Sequence, residues 1–397
     1  MNYNLFYRIY ACLRIIILSG SVIPAQSQTG LISYPEIVSI EKERVINSAE
    51  KYLLEEPVTV TSFKSERSAG GIHDYYSEGT YWWPDPNNPD GPYIRKDGIN
   101  NPDNFEAHHK SLIRFSIHTA ALTAAFKITG DEKYARHALK HINAWFVNEE
   151  TKMNPSFLYA QAIKGIVTGR GIGLIDAIHL IEVARSVEVL YEMNAVEKEN
   201  LSKIKKWFAY FLEWMTTHQY GIDERENGNN HSSWWVAQVA MYARLINDAD
   251  QIKFCKEFFN SEILEKQMAA NGSFPEEISR TKPYSYSLFN IEAFGTIARI
   301  LNDIDFWNCR SETGKSIKLG FDFIFPFMED KSLWTFKKDV LHFDELPVRM
   351  QSLLFAGLAF KEKKYIELWK KLNAHYTDEE LIRTYPIRQP VLWVDHE

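Results

Sequence analysis

The stretch Gly173–Leu174–Ile175–Asp176–Ala177–Ile178–His179–Leu180–Ile181–Glu182–Val183–Ala184–Arg185–Ser186–Val187–Glu188–Val189–Leu190–Tyr191 is apolar on nearly every side. A helix at a protein surface carries one apolar stripe, whereas a helix apolar all round is enclosed by other elements. The spacing therefore predicts an inner helix over Gly173 to Tyr191. Its surroundings are helical too. Ser33 to Leu54 carries Ile37, Ile40, Val45, Ala49, Tyr52 and Leu53 at helical spacing. Ser111 to Ile128 is strongly apolar and stops at Gly130, and Asp131 is placed to cap a helix with Tyr134, Ala138, Ile142 and Trp145 on one face. Further helices are expected over Glu197 to Met215, Ser232 to Ile246, Asp250 to Met268, Tyr284 to Leu301, Gly314 to Phe327, Val348 to Phe360 and Lys364 to Asn373.

These segments read as successive helical hairpins joined by short turns, an all-α fold. Strand alternation is scarce and there is no βαβ rhythm, which excludes Rossmann and TIM architectures. No exact repeat marks a short-period solenoid. Two stretches stand apart. His73 to Asn104 is rich in Pro, Gly, Asn and Asp and holds Tyr75, Tyr76, Tyr81, Trp82, Trp83 and Tyr93. A loop of that length is functional or disordered, and so many aromatics argue against disorder. Asn154 to Gly173 contains Gly165, Gly169, Arg170, Gly171 and Gly173. It has neither GxGxxG after a strand nor GK[ST], so it is no phosphate loop.

The 397 residues suit one large domain or two ordinary ones. With a net charge of −7, no global field attracts a polyanion, and an acidic polymer would need a local basic cleft. No Lys/Arg-rich block points to nucleic acid. Aromatics reach 14%. They serve either a large core or a cleft that stacks on pyranose faces. At the N-terminus, Arg8 and Arg14 supply positive charge, Ile15 to Ala25 forms a short apolar stretch, and Ala25–Gln26–Ser27 is a small-residue site. Residues 1–27 therefore read as a cleaved export signal, too short for a bilayer span. That leaves residues 28–397 as one periplasmic or secreted domain, expected to act as a monomer. Cys255 and Cys309 remain, either paired or as separate thiols. His137 and His141 have a metal-compatible spacing, but His141 falls on an apolar face and no HExxH is present. We expect no metal and no cofactor.

The chemistry concentrates in two runs. Asn227–Gly228–Asn229–Asn230–His231–Ser232–Ser233–Trp234–Trp235 opens a helix with amides, an imidazole and hydroxyls. Phe274–Pro275–Glu276–Glu277–Ile278–Ser279–Arg280 is followed by Tyr284 and Tyr286. In a uronic acid the C5 hydrogen is α to the C6 carboxylate, and removing it builds a dianionic enolate. The carboxylate must be neutralised first. Asn230 and His231 can donate hydrogen bonds and Arg280 offers a fixed positive fork. A tyrosinate beside those cations can take the C5 proton and return it to the leaving O4. One tyrosine suffices where C5–H and O4 share a ring face, as in β-mannuronate. Guluronate needs a second group such as His231. Against this, Asn and Ser before a helix are ordinary caps, Arg280 can pair with Glu276 or Glu277, and a tyrosine can be core.

Asn229–Asn230–His231–Ser232 resembles the amide-imidazole motif of family 5 alginate lyases and their relatives. Tyr81–Trp82–Trp83–Pro84–Asp85, Asn154–Pro155 and Arg280 with its following tyrosines fit the same broader domain, over roughly Asp74 to Phe360. The resemblance implies an (α/α) toroid or incomplete α/α barrel built from helical hairpins, and a lyase cleaving β-1,4-linked polyuronate. Mannuronate-rich alginate is the first expectation, glucuronan or another polyuronate the alternative. It implies catalytic roles for Asn230, His231, Arg280 and Tyr286. In the family the Arg and Tyr are seven positions apart, whereas Tyr286 is six from Arg280. Tyr286–Ser287–Leu288–Phe289 aligns best with the family's Tyr-x-Leu-aromatic run, and Tyr284 is the fallback. Tyr81, Trp82 and Trp83 are expected to stack on sugar, with Arg170, His108 and Tyr284 as further substrate contacts. Two other readings compete. One is an α/α-barrel glycoside hydrolase using Glu276, Glu277, Asp344 or Glu345. The other is a non-catalytic glycan-binding protein.

Overall fold

A computed structural model describes residues 31–394, so the expected export signal lies outside the described residues. Helices α1 (Tyr34–Tyr52), α2 (Ala107–Thr129), α3 (Glu132–Phe146), α4 (Leu180–Glu192) and α5 (Lys198–Thr217) are followed by the short α6 (Gln219–Arg225). Then come α7 (Asn230–Ile246), α8 (Ala249–Phe258), α9 (Pro275–Ile278), α10 (Pro283–Leu301), α11 (Ile304–Trp307) and α12 (Ile317–Glu329). The chain ends through α13 (Gln351–Phe360), α14 (Lys363–Lys371), α15 (Glu379–Thr384) and α16 (Pro390–Trp393).

Burial sorts these helices into two layers. In α7 every residue from Ser232 to Ala243 is buried, and α2, α4, α10 and α13 are nearly as enclosed. They pack side by side in the order α2, α4, α7, α10, α13. The outer helices are one-sided. In α14, Tyr365, Ile366, Leu368 and Trp369 face in, while Lys363, Lys364, Glu367, Lys370 and Lys371 face water. α3, α5, α8, α12 and α14 back the inner row, giving the two-layered α/α toroid of helical hairpins. Turn chemistry follows the sequence: Gly130 ends α2 at φ 72° and the Asp131 carboxylate caps α3.

Two expectations need correction. The inner stretch is not one α-helix from Gly173: Gly171–His179 winds as a 3₁₀ helix before α4 begins. The reason is local. A Cβ on Gly173 would lie 2.5 Å from the Ala160 Cβ, so this end of the segment lies flat against a strand. The segment after α8 also changes pitch, with Phe259–Gln267 forming a π-helix rather than continuing the α-helix.

The aromatic loop acquires slight sheet structure. β1 (Tyr76–Glu78) pairs in parallel with β4 (Tyr159–Ala162), and β2 (Trp82–Trp83) pairs antiparallel with β3 (Ile94–Arg95). Asparagines hold the rest. Asn101 Nδ2 donates to the Trp82 carbonyl at 2.9 Å, and Asn104 Nδ2 donates to the Gly79 carbonyl at 2.9 Å. Cys255 is buried in α8 and Cys309 is half-buried, and they are separate free thiols. Among the described residues, no helix is long and apolar enough to cross a membrane.

Buried carboxylates tie the ends of the chain to the inner layer. Glu182 on α4 accepts the backbone N–H groups of Arg388 and Gln389 at 2.9 and 2.8 Å. Glu41 on α1, only 1% exposed, pairs with Arg349 at 2.8 Å and with Arg44 at 2.5 Å. Removing one member of such a buried cluster leaves uncompensated charge. Glu41→Gln should destabilise the protein by roughly 3 kcal/mol, read as a lower melting temperature and urea midpoint. An unchanged midpoint would mean that the cluster contributes no net stability.

Candidate active site

The N-terminus of α7 is the foundation of the site. Asn229 is its N-cap, its side-chain oxygen accepting the His231 N–H at 3.0 Å. The capping role weighed for this run is thus real, but it belongs to Asn229 and leaves Asn230 and His231 for other work. Glu277, buried at the end of α9, accepts both the Asn230 backbone N–H at 2.7 Å and its Nδ2 at 2.8 Å. Because a carboxylate only accepts, the amide group of Asn230 is oriented with nitrogen toward Glu277. Nδ2 keeps a second hydrogen. His231 Nδ1 lies 2.8 and 3.1 Å from the two oxygens of Glu224, which is fully buried on α6. Nδ1 therefore carries the hydrogen, and Nε2 is the nitrogen left for a ligand. Burial raises the pKa of Glu224, and the His231 contact opposes that rise.

The second run arrives from the α9–α10 turn. Arg280 does not pair with Glu276 or Glu277. Its Nη2 donates to Asp97 at 3.0 Å and to the Tyr286 hydroxyl at 3.2 Å. Its guanidinium carbon sits 4.3 Å from the Tyr286 ring centroid. Tyr286, on the first turn of α10, points into the same cavity, and its hydroxyl lies 3.0 Å from that of Tyr81. Lys282 lies over both rings, 5.6 Å from Tyr81 and 5.5 Å from Tyr286. Lys282 is buried and pairs with Glu380 on α15 at 2.6 Å, and Glu380 also pairs with Arg383 at 2.6 Å. Burial opposes ionisation of the Tyr81 phenol, but the Lys282 and Arg383 cations outweigh it and bring its pKa below the usual tyrosine value. For Tyr286, burial and then the neighbouring Tyr81 push the pKa well up, against the pull of Arg280.

The Gly-rich loop brings Arg170, as its sequence suggested. Arg170 is fixed to Gln161 through the backbone oxygen and the side-chain oxygen, both at 3.0 Å. Gln161 takes a left-handed backbone, φ 49°, unusual for a residue with a side chain. Its Nε2 donates to Asp176 at 3.1 Å, which also anchors the hydroxyls of Tyr75 and Ser77. The Arg170 guanidinium faces the Trp82 ring at 5.8 Å. Burial brings its pKa down to about 10, so it stays charged at neutral pH.

Together these side chains line a cleft of about 400 Å³. Arg95, Arg170, Arg280, Lys282 and Arg383 supply cations against the carboxylates of Asp176 and Glu380. The net-acidic chain thus contains a basic cleft. Asn230, His231, Arg280, Tyr286, Tyr81, Trp82 and Arg170 all line it.

Three expected contacts do not reach it. His108 is buried, its Nδ1 accepting the Tyr76 N–H at 3.0 Å and its Nε2 lying 3.1 Å from the Phe63 carbonyl. The adjacent His109 lines the cleft instead, as helical geometry requires when one of two neighbours points away. Tyr284 is fully buried and donates to the Phe327 carbonyl at 3.0 Å, so it is a core residue. Trp83 folds back on its own loop, its Nε1 donating to the Ile99 carbonyl at 3.0 Å with Lys96 4.5 Å above the ring. The residues that pattern reading missed are the supports Glu224, Asp97, Gln161, Glu380 and Arg383. They come from other elements, and no local spacing marks them. Glu277 stands in the second run, where the sequence offers it as an Arg280 partner or a hydrolytic acid, not as the anchor of Asn230. Among the described residues, no three His, Cys, Asp or Glu side chains are grouped to hold a metal ion.

Residues 59–334 match the family model described as Alginate lyase. An alginate lyase from Bacteroides ovatus is 29% identical with a TM-score of 0.76, over 88% of this chain and 93% of its own. Alginate lyase A1-III from Sphingomonas species A1 is 16% identical with a TM-score of 0.52, over 91% and 95% of the two chains, a likeness of fold. A1-III complexed with a tetrasaccharide aligns at 14% identity and a TM-score of 0.58, over 92% and 96%. No curated protein matches the chain. With the family match spanning well over half its length, and a toroid carrying one basic cleft, the chain belongs to the alginate lyase family and is a polysaccharide lyase for alginate-type substrates.

Proposed function

We propose that this enzyme cleaves mannuronate-rich alginate by β-elimination, with Tyr286 as both base and acid. The observation that carries the reading is the convergence of Asn230, His231, Arg280 and Tyr286 on one basic cleft. The substrate carboxylate would meet the free hydrogen of Asn230 Nδ2, the α7 N-terminus, whose dipole favours an anion, and the Nε2–H that His231 presents when its ring carries both protons. Those donors stabilise the enolate that forms when C5 loses its proton. The Tyr286 oxygen takes that proton while Arg280 donates to it, and then gives a proton to O4 as the C4–O4 bond breaks. Tyr81, Trp82 and Arg170 line the cleft where neighbouring sugars would lie. We further propose that the enzyme is exported, on the strength of its first 27 residues, and acts as a monomer.

A hydrolase mechanism finds no support in the placement of its candidate acids. Glu276, Asp344 and Glu345 are exposed and line no part of the cleft, and both oxygens of Glu277 are committed to Asn230.

The decisive assay is a panel of polymannuronate, polyguluronate and glucuronan followed by ultraviolet absorbance. Elimination leaves an absorbing C4=C5 double bond that hydrolysis cannot make. Polymannuronate should react fastest. Faster cleavage of glucuronan would move the substrate assignment, and reducing ends without absorbance would end the lyase mechanism.

Tyr286→Phe keeps the ring and deletes one oxygen. Its kcat on polymannuronate should fall at least about 10²-fold, with substrate binding largely retained. Near-normal turnover would refute the tyrosine's role. Because amide, imidazole and guanidinium groups supply the neutralising charge, activity should survive exhaustive chelation. Complete loss, restored by one divalent ion, would show that a metal carries the carboxylate.

A further inference from the structure

Away from the catalytic cleft, α1, α2, the start of α13 and residues 374–389 enclose a second cavity of about 300 Å³. It shares no lining residue with the cleft. Three guanidinium groups line it, those of Arg44, Arg349 and Arg388, against the single carboxylate of Glu41. The side chains of Arg44 and Arg349 are only 15% and 12% exposed. Each takes one oxygen of Glu41, Arg349 donating to Oε1 at 2.8 Å and Arg44 to Oε2 at 2.8 Å. Arg388 has no carboxylate within ion-pairing distance among the described residues. Its Nη2 donates to the Ile382 carbonyl. A guanidinium carries five N–H donors, and the remaining ones on Arg388 have no acceptor among the described residues.

Two buried glutamines add donors to the same wall. Gln351 and Gln389 are 4% and 2% exposed. The Gln351 side-chain oxygen accepts the Trp369 indole N–H at 2.9 Å, and the Gln389 side-chain oxygen accepts from Arg44 at 3.1 Å. Both partners can only donate, so each amide oxygen is fixed toward its partner and each amide nitrogen is turned away. Neither Nε2 has an acceptor among the described residues, and both glutamines line the cavity. The nearby acids do not fill this need. Glu182 holds the backbone N–H groups of Arg388 and Gln389, Glu292 holds those of Gln351 and Ser352, and neither acid lines the cavity. A wall of guanidinium and amide donors around one committed carboxylate is complementary to an oxyanion. Buried donors left without acceptors cost free energy, which a ligand oxygen recovers.

The volume selects among oxyanions. A bare inorganic ion would leave most of the cavity to water, whereas about 300 Å³ is the lower end of small-molecule sites. The rings of Tyr52 and Tyr376 and the hydroxyls of Ser48 and Thr377 complete the lining. They suit a body with an apolar face and several hydroxyls.

We infer that this cavity is a second, non-catalytic site that binds a free uronate, its carboxylate on Arg388 and Arg44 and its hydroxyl oxygens on the amide nitrogens of Gln351 and Gln389. The choice of uronate among sugar acids rests on the lyase reading above, because uronates are what that reaction releases. The oxyanion site itself does not rest on it. One short helix separates the two sites: Ile382 of α15 lines this cavity, whereas Glu380 and Arg383 of the same helix line the cleft.

Calorimetric titration with sodium mannuronate, and with inorganic phosphate for comparison, tests the inference. Arg280→Ala weakens the cleft, and that enzyme should still bind one mannuronate. Adding Arg388→Gln should weaken the remaining binding at least about 10-fold. Arg388→Lys keeps the charge without the planar fork and should weaken it less. Ser48→Glu leaves every arginine in place and brings a carboxylate to the cavity, and it too should remove the binding. No saturable binding to the Arg280→Ala enzyme, or an affinity unchanged by Arg388→Gln or by Ser48→Glu, would overturn the inference. Phosphate bound as tightly as mannuronate would overturn the choice of a sugar acid. Arg388→Gln alone should cleave polymannuronate like the wild type. Lost turnover with mannuronate binding intact would make Arg388 a support of the cleft and contradict a separate site. An enzyme inactive on every polyuronate would instead sink the lyase reading, whatever this cavity binds.

Discussion

The carboxylate of Glu277 joins the two halves of the active site. It binds the first backbone N–H of α7 and the Asn230 amide, and it does so from α9, three residues before Arg280. One buried acid thus sets where the helix begins, which way the Asn230 amide faces, and how far the Arg280–Tyr286 segment lies from His231. Its neighbours extend the same logic. Gln267, at the end of the π-helix, donates to the Asn229 carbonyl at 2.8 Å and accepts from Ser233 and Asn290. Glu224 fixes the His231 ring from behind. The groups proposed to meet substrate are held by buried partners and would need little rearrangement to act.

A toroid suits this arrangement because its inner helices start in one region. α7 and α10 are neighbours in the inner row; the first turn of α7 carries Asn230 and His231, while Arg280 lies in the turn leading into α10 and Tyr286 on its first turn. The remaining wall comes from parts of the chain far apart in sequence. The aromatic loop gives Tyr81 and Trp82, the Gly-rich loop gives Arg170, and α15 gives Glu380 and Arg383. The lining of this cleft presents five cations against two carboxylates within a chain of net charge −7, because Asp97, Glu224 and Glu277 stand behind the groups that face the opening.

The fold was largely legible because its inner helices are apolar all round and its outer helices are one-sided, patterns that periodicity reads directly. What escaped was pitch: close packing against β4 turned Gly171–His179 into a 3₁₀ helix, and no apolar pattern encodes that. In the site, Asn230, His231, Arg280 and Tyr286 were legible because their chemistry is clustered in two short runs. Choosing between His108 and His109, or Tyr284 and Tyr286, depended on one or two residues of helical phase. The Arg280 partner was sought among the local acids Glu276 and Glu277, but it is Asp97, 183 positions away. Long-range partners such as this, and Glu380 for Lys282, leave no trace in local spacing.

The central claim is stereochemical: one tyrosine oxygen serves both C5–H and O4 while the carboxylate sits on the α7 N-terminus. A crystal structure of the Tyr286→Phe enzyme with a mannuronate oligosaccharide tests it directly. The expected complex has a sugar carboxylate on Asn230 and His231, with C5 and O4 of the scissile linkage on the ring face toward Phe at that position. An oligosaccharide whose C5–H faces away from that ring, or whose carboxylate lies outside this cleft, would contradict the account.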